Sequence, residues 1–82
     1  MDAKKTGAYL ADLRRARGMT QQEAADQLGG SNKTVSKWEN GAGLPDITVL
    51  PALAELYGVT ADDILAGETL RGRPAETEGP AR

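Results

Sequence analysis

Glycine interrupts this chain so often that no long helix can form. Gly18, the pair Gly29-Gly30, Gly41, Gly43, Gly58 and Gly67 break it at short intervals, and Thr20, Ser31 and Thr60 follow three of those breaks. Glycine takes the left-handed backbone conformation that closes a helix without steric cost. A Ser or Thr hydroxyl then satisfies an orphan N–H at the next helix start. These marks leave room for five short helices and predict an all-α fold.

The first helix is predicted over residues 4–17, with Leu10, Leu13 and Arg17 at three- and four-residue spacing and Thr6 and Tyr9 near that face. Thr20-x-x-Glu23 is a capping box that opens the second helix, whose buried side is Ala24, Ala25 and Leu28. Ser31 caps a third, 32–40, in which Val35 and Trp38 lie three apart and face inward together. In the fourth, Pro51 belongs in the first turn, where no N–H is missed. Regular helix is therefore expected from Thr48 to Tyr57, led in by Asp46 and Ile47, with Val49, Leu50, Leu53, Leu56 and Tyr57 as its apolar stripe. Thr60 caps the last helix, 61–66, with Asp62 and Asp63 as favourable charges at its start and Ile64 and Leu65 returning to the core.

With 82 residues, one domain is the natural reading: a compact five-helix domain over 1–66, then a Gly/Pro/Glu-rich tail over 67–82. The tail buries too little apolar area to order itself and is expected to be disordered. The chain has no Cys and no His, which removes disulfides, thiolate metal sites, thiol nucleophiles and the commonest general base. No nucleophile–base pair, phosphate-cradling glycine loop or carboxylate cluster replaces them, so no enzyme, metal or cofactor is expected. No apolar run approaches the roughly 20 residues that cross a membrane, which predicts a cytoplasmic protein. The net charge is −2, unevenly spread: residues 1–41 hold seven basic and five acidic side chains, residues 42–82 three and seven. A basic front half suits a polyanionic partner.

The informative stretch is residues 21–40. Two helices separated only by Gly29-Gly30-Ser31 must cross steeply. Ala25 offers the small side chain such a crossing needs, and Gly29 the backbone freedom of the turn. Once Val35 and Trp38 face inward, Asn32, Lys33, Ser36 and Lys37 face outward, and no acidic residue interrupts them before Glu39. Asn pairs with adenine through two hydrogen bonds, and Lys donates to guanine O6 and N7. Taken singly, each of these residues reads as ordinary solvated surface; the turn that presents them together gives them weight.

Gly18-Met19-Thr20-Gln21-Gln22-Glu23-Ala24-Ala25, Leu28-Gly29 and the run from Ser31 to Gly41 resemble the phage-repressor and Cro family of helix-turn-helix domains, particularly the xenobiotic-response-element-type bacterial regulators. Gly43-Leu44-Pro45-Asp46-Ile47, Leu50-Pro51, Leu53-Ala54-Glu55 and the run from Tyr57 to Leu65 extend the resemblance through two more helices. It implies a lambda-repressor-like domain that binds double-stranded DNA sequence-specifically as a transcriptional regulator, a repressor first. By position, Asn32, Lys33 and Lys37 match base-reading residues, with Ser36 beside them on the same face. Gln21, Thr34 and Asn40 match phosphate-contacting residues, and Arg14 and Glu39 an ion pair bracing the fold. A homodimer on a palindromic operator is the expected assembly. Three features depart from the pattern: Gly30, where relatives place an apolar residue; the loop 41–46, which has no Lys or Arg; and the acidic tail, which is expected to compete with DNA for the basic face. The resemblance also admits a second role, an antitoxin-like module that binds a protein partner through its tail, although Leu70 is the tail's sole aliphatic anchor.

Overall fold

The computed structural model describes residues 2–70. Five α-helices follow in chain order, α1 (Ala3–Ala16), α2 (Gln21–Leu28), α3 (Asn32–Glu39), α4 (Leu50–Tyr57) and α5 (Ala61–Ala66), with no strand among the described residues. Helix α1 packs on α3 and α5, α2 on α3, and α4 on α5. Leu10, Ala24, Ala25, Val35, Trp38, Leu50, Leu53, Tyr57 and Ile64 make one core to which every helix contributes. Each large side chain so buried contributes about 1.5–3 kcal/mol. Helices of six to fourteen residues are too short to persist alone, so this shared core is what holds them.

Side-chain caps and left-handed glycines set most helix ends. Asp2 accepts from the N–H groups of Lys4 and Lys5 and starts α1 one residue before the expected position. Thr20 and Thr60 head reciprocal capping boxes with Glu23 and Asp63. The correction of substance is at α4. Regular helix begins at Leu50, not at Thr48, because Asp46 organises its own turn first. The Asp46 carboxylate accepts from the Thr48 N–H at 3.2 Å, and its carbonyl accepts from Val49 at 2.8 Å. Pro51 then falls at the second helical position, where its missing N–H breaks no hydrogen bond.

Asp63 is more than a helix-start charge. It is 1% exposed, accepts from Thr60 N–H at 3.1 Å to complete the capping box, and accepts from Leu70 N–H at 2.9 Å. The stretch just after α5 thereby lies against α1. Tyr9 and Thr69 share a 2.9 Å hydrogen bond, and Lys5 pairs with Glu68 at 3.5 Å. Leu70 itself is half-buried. The remainder of the expected tail lies outside the described residues.

Candidate nucleic-acid interface

The turn between α2 and α3 is built by backbone geometry. Gly29 has φ 73°, and Gly30 N–H reaches back to the Ala25 carbonyl at 2.9 Å, closing α2. The Ser31 hydroxyl then accepts from Thr34 N–H at 3.3 Å and opens α3. Ala24 and Ala25 are fully buried, so nothing bulky holds the two helices apart. A side chain at Gly30 would meet open space, so the second glycine of the turn answers to no steric demand there.

Val35 and Trp38 are buried as expected, which turns the rest of α3 outward. Asn32, Lys33, Thr34, Lys37 and Asn40 are exposed, and Ser36 is half-buried. With Ser31 these residues line a single shallow concavity along the helix. Local hydrogen bonds fix the small side chains: the hydroxyls of Ser31 and Thr34 are 3.1 Å apart, and the Asn40 amide donates to Ser36 Oγ at 3.3 Å. Lys33 and Lys37 make no salt bridge among the described residues. Their charge is free for an anionic partner.

Glu39 is the single acid of α3, and it is turned away from this face. Arg14 Nε donates to Glu39 Oε2 at 2.7 Å, Arg14 Nη2 to Oε1 at 3.0 Å, and Gln21 Nε2 to the same Oε1 at 3.0 Å. Arg14 Nη1 also donates to the Met19 carbonyl at 2.7 Å. One carboxylate thus ties α1, α2 and α3 together. The Arg14 and Glu39 side chains are 11% and 5% exposed, so the pair is bidentate and largely out of water. Burial alone would raise the Glu39 carboxyl; the hydrogen bonds from Arg14 and Gln21, with the charges of Arg14 and Arg15, more than offset it and hold the carboxyl below its ordinary value. The bond to Glu39 raises the Arg14 guanidinium against the opposing effect of burial. Nearby, burial and then the charge of Glu39 push the Tyr57 hydroxyl up to about 12.

This pairing has a pH signature. Glu39 titrates lower in the folded chain than its ordinary 4.5, so its stabilisation is complete above that value and drains away as pH falls through the native one. Glu39→Gln is expected to flatten the acid limb of a plot of stability against pH. A limb of unchanged steepness below 4.5 would assign acid unfolding to other carboxylates.

Gln21 sits at the first position of α2, where the sequence places it, but one of its amide hydrogens is committed to Glu39. No local pattern foretells that bond, since its two ends are 18 residues apart. Sequence reasoning also missed Gly7. This glycine is buried inside α1, and a Cβ built on it would run into the Trp38 carbonyl and lie 3.0 Å from the Glu39 carbonyl. The α1 backbone therefore rests directly on the end of α3. An isolated glycine within a helical pattern was the available signal.

Residues 6–66 match a protein family described as Helix-turn-helix domain. The HTH-type transcriptional activator BcrR of Enterococcus faecalis is 39% identical over 61 residues, which are 74% of this chain and 30% of that protein. The cryptic phage CTXphi transcriptional repressor RstR of Vibrio cholerae is 34% identical over 55 residues, 67% of this chain and 49% of that protein. The chain therefore spans less than half the length of either relative. Among solved structures, the clp gene regulator ClgR from Corynebacterium glutamicum superposes with a TM-score of 0.70 at 24% identity, over 82% of this chain and 87% of that one, which speaks for the fold.

Proposed function

We propose, from the premise that this chain belongs to the family of helix-turn-helix domains, that it binds double-stranded DNA sequence-specifically and regulates transcription. One observation carries the reading: α3 presents Asn32, Lys33 and Lys37 to solvent while its single acid is folded inward onto Arg14. A helix of this width fits the major groove, whose base edges carry a distinguishable pattern of donors and acceptors. Asn32, Lys33 and Lys37 then read bases, with Ser36 lining the same face. Thr34 and Asn40, with the uncommitted hydrogen of Gln21, take phosphates. Those contacts set register without carrying sequence information.

Two copies on a palindrome, with recognition helices about 34 Å apart, are the assembly that suits this class. Repression is the simpler outcome, because a bound domain blocks a promoter by occupancy alone; BcrR is nevertheless named an activator. No helix among the described residues is long and apolar enough to cross a membrane, in keeping with a cytoplasmic regulator. The alternative of a protein-binding tail gains little from Leu70, which is half-buried against the domain with its N–H held by Asp63.

The test is selection of bound duplexes from a random pool. Enrichment of a palindrome with half-sites one helical turn apart supports the proposal; no enrichment at low or moderate salt overturns it. On the selected site, Lys33→Ala and Lys37→Ala are each expected to weaken binding by about 1–3 kcal/mol and to relax specificity. Equal losses on unrelated sequences would move either lysine from bases to phosphate.

A further inference from the structure

The loop 41–46 leaving α3 contains no Lys or Arg, yet its glycines bring two lysines from elsewhere to its sides. Gly41 has φ 75°, and a Cβ built there would lie 2.9 Å from Cγ of Lys4 and 3.1 Å from its Cα. The first turn of α1 is seated on this glycine, where any side chain would be strained by the positive φ and crowd Lys4. Gly43 flanks the other lysine: a Cβ there would contact the Lys37 stem at 3.5 Å. The loop is held in place by Gly41 N–H to the Trp38 carbonyl and Ala42 N–H to the Lys37 carbonyl, both 3.0 Å.

We propose that Lys4 is a further contact for the DNA backbone, completing a phosphate site with Asn40 at the end of α3. The inference rests on the DNA-binding reading above. Lys4 is exposed and makes no salt bridge among the described residues, whereas its neighbour Lys5 faces α5 and is paired with Glu68. Asn40, also exposed, directly precedes the glycine that Lys4 packs on. The acid closest in sequence, Asp2, is occupied by the N–H groups of Lys4 and Lys5. The tight seat of the Lys4 backbone on Gly41 ties the root of its side chain to the end of the recognition helix. Its ammonium therefore travels with α3, as the side chain of a loop residue would.

A phosphate contact of this kind carries no sequence information and contributes about one unit to the dependence of log K on log salt. The experiment measures binding of the whole chain to its selected duplex and to a scrambled one across a salt series, for wild type, Lys4→Gln and Lys5→Gln. The two variants change net charge equally, and far-UV circular dichroism verifies the fold of each. Lys4→Gln is expected to weaken binding to both duplexes by the same factor and to lower the salt slope by about one, with Lys5→Gln retaining the wild-type slope. An unchanged slope in Lys4→Gln, or equal reductions in both variants, overturns the proposal and leaves the DNA-binding reading intact. Failure of the wild-type chain to bind either duplex overturns that reading itself.

Discussion

Trp38→Ala is expected to lose about 3–5 kcal/mol of stability, the range for truncating a large buried aromatic. A small domain has about 5 kcal/mol in total, so this variant is largely unfolded at ordinary temperature. Trp38 is 9% exposed and holds α3 to the core shared with Leu10, Leu50, Leu53 and Ile64. Its removal empties the largest volume any one residue fills there. It also frees the helix proposed to read DNA, so duplex binding falls with stability and not independently of it. Trp38 is the chain's single tryptophan, so unfolding has to be followed by circular dichroism in place of fluorescence. A denaturant midpoint within experimental error of wild type would remove Trp38 from the core.

For Gly7→Ala the sign of the expected effect is the informative part. In an exposed helix interior this substitution stabilises by about 1 kcal/mol, because glycine is the poorer helix former. Here the added methyl meets the carbonyl oxygens of Trp38 and Glu39, which are backbone and cannot swing aside. Either α1 lifts from α3 or the end of α3 unwinds. Overpacking of this kind costs about 1–3 kcal/mol, enough to reverse the propensity gain. The lift also stretches the bonds from Arg14 to Glu39, which span the same two helices. Ala8→Gly, at the exposed position next to it, supplies the reference, since only propensity acts there. If Gly7→Ala melts higher than wild type, the two helices are not in backbone contact.

What the sequence revealed and what it withheld divide along the range of the interactions. Thr20, Ser31 and Thr60 act through hydrogen bonds to residues three further on, and those helix starts were legible because cap and target lie in one short window. Val35 and Trp38 faced inward as their spacing required, and the outward set on α3 followed from them. The start of α4 was misplaced by two residues because the Asp46 turn competes with the helix for the same N–H groups, and a Pro-based argument weighs only the helix. Asp63 reads in the sequence as a favourable charge at a helix start. Its burial depends on Leu70 coming back to it and on the Thr6 hydroxyl closing over α5 through the Ile64 carbonyl at 3.0 Å. Resemblance supplied the Arg14–Glu39 pair; the geometry adds Gln21 as its third member. The contacts of Gly7 and of Gly41 with neighbouring helices were invisible for a different reason. A missing side chain leaves no pattern, and its meaning appears only when another backbone is seen to fill the space.

The Lys5–Glu68 pair and the Tyr9–Thr69 bond place the entry to α1 and the exit from α5 at one corner of the bundle. A short linker bridging that corner makes the domain a natural candidate for circular permutation, with new ends opened in a surface loop elsewhere. In a fusion, a segment attached directly before α1 or directly after Leu70 starts from the same corner. Because Lys4 stands at that corner too, the charge of whatever is attached there tunes the local field at the end of α3 without altering any residue proposed to read a base.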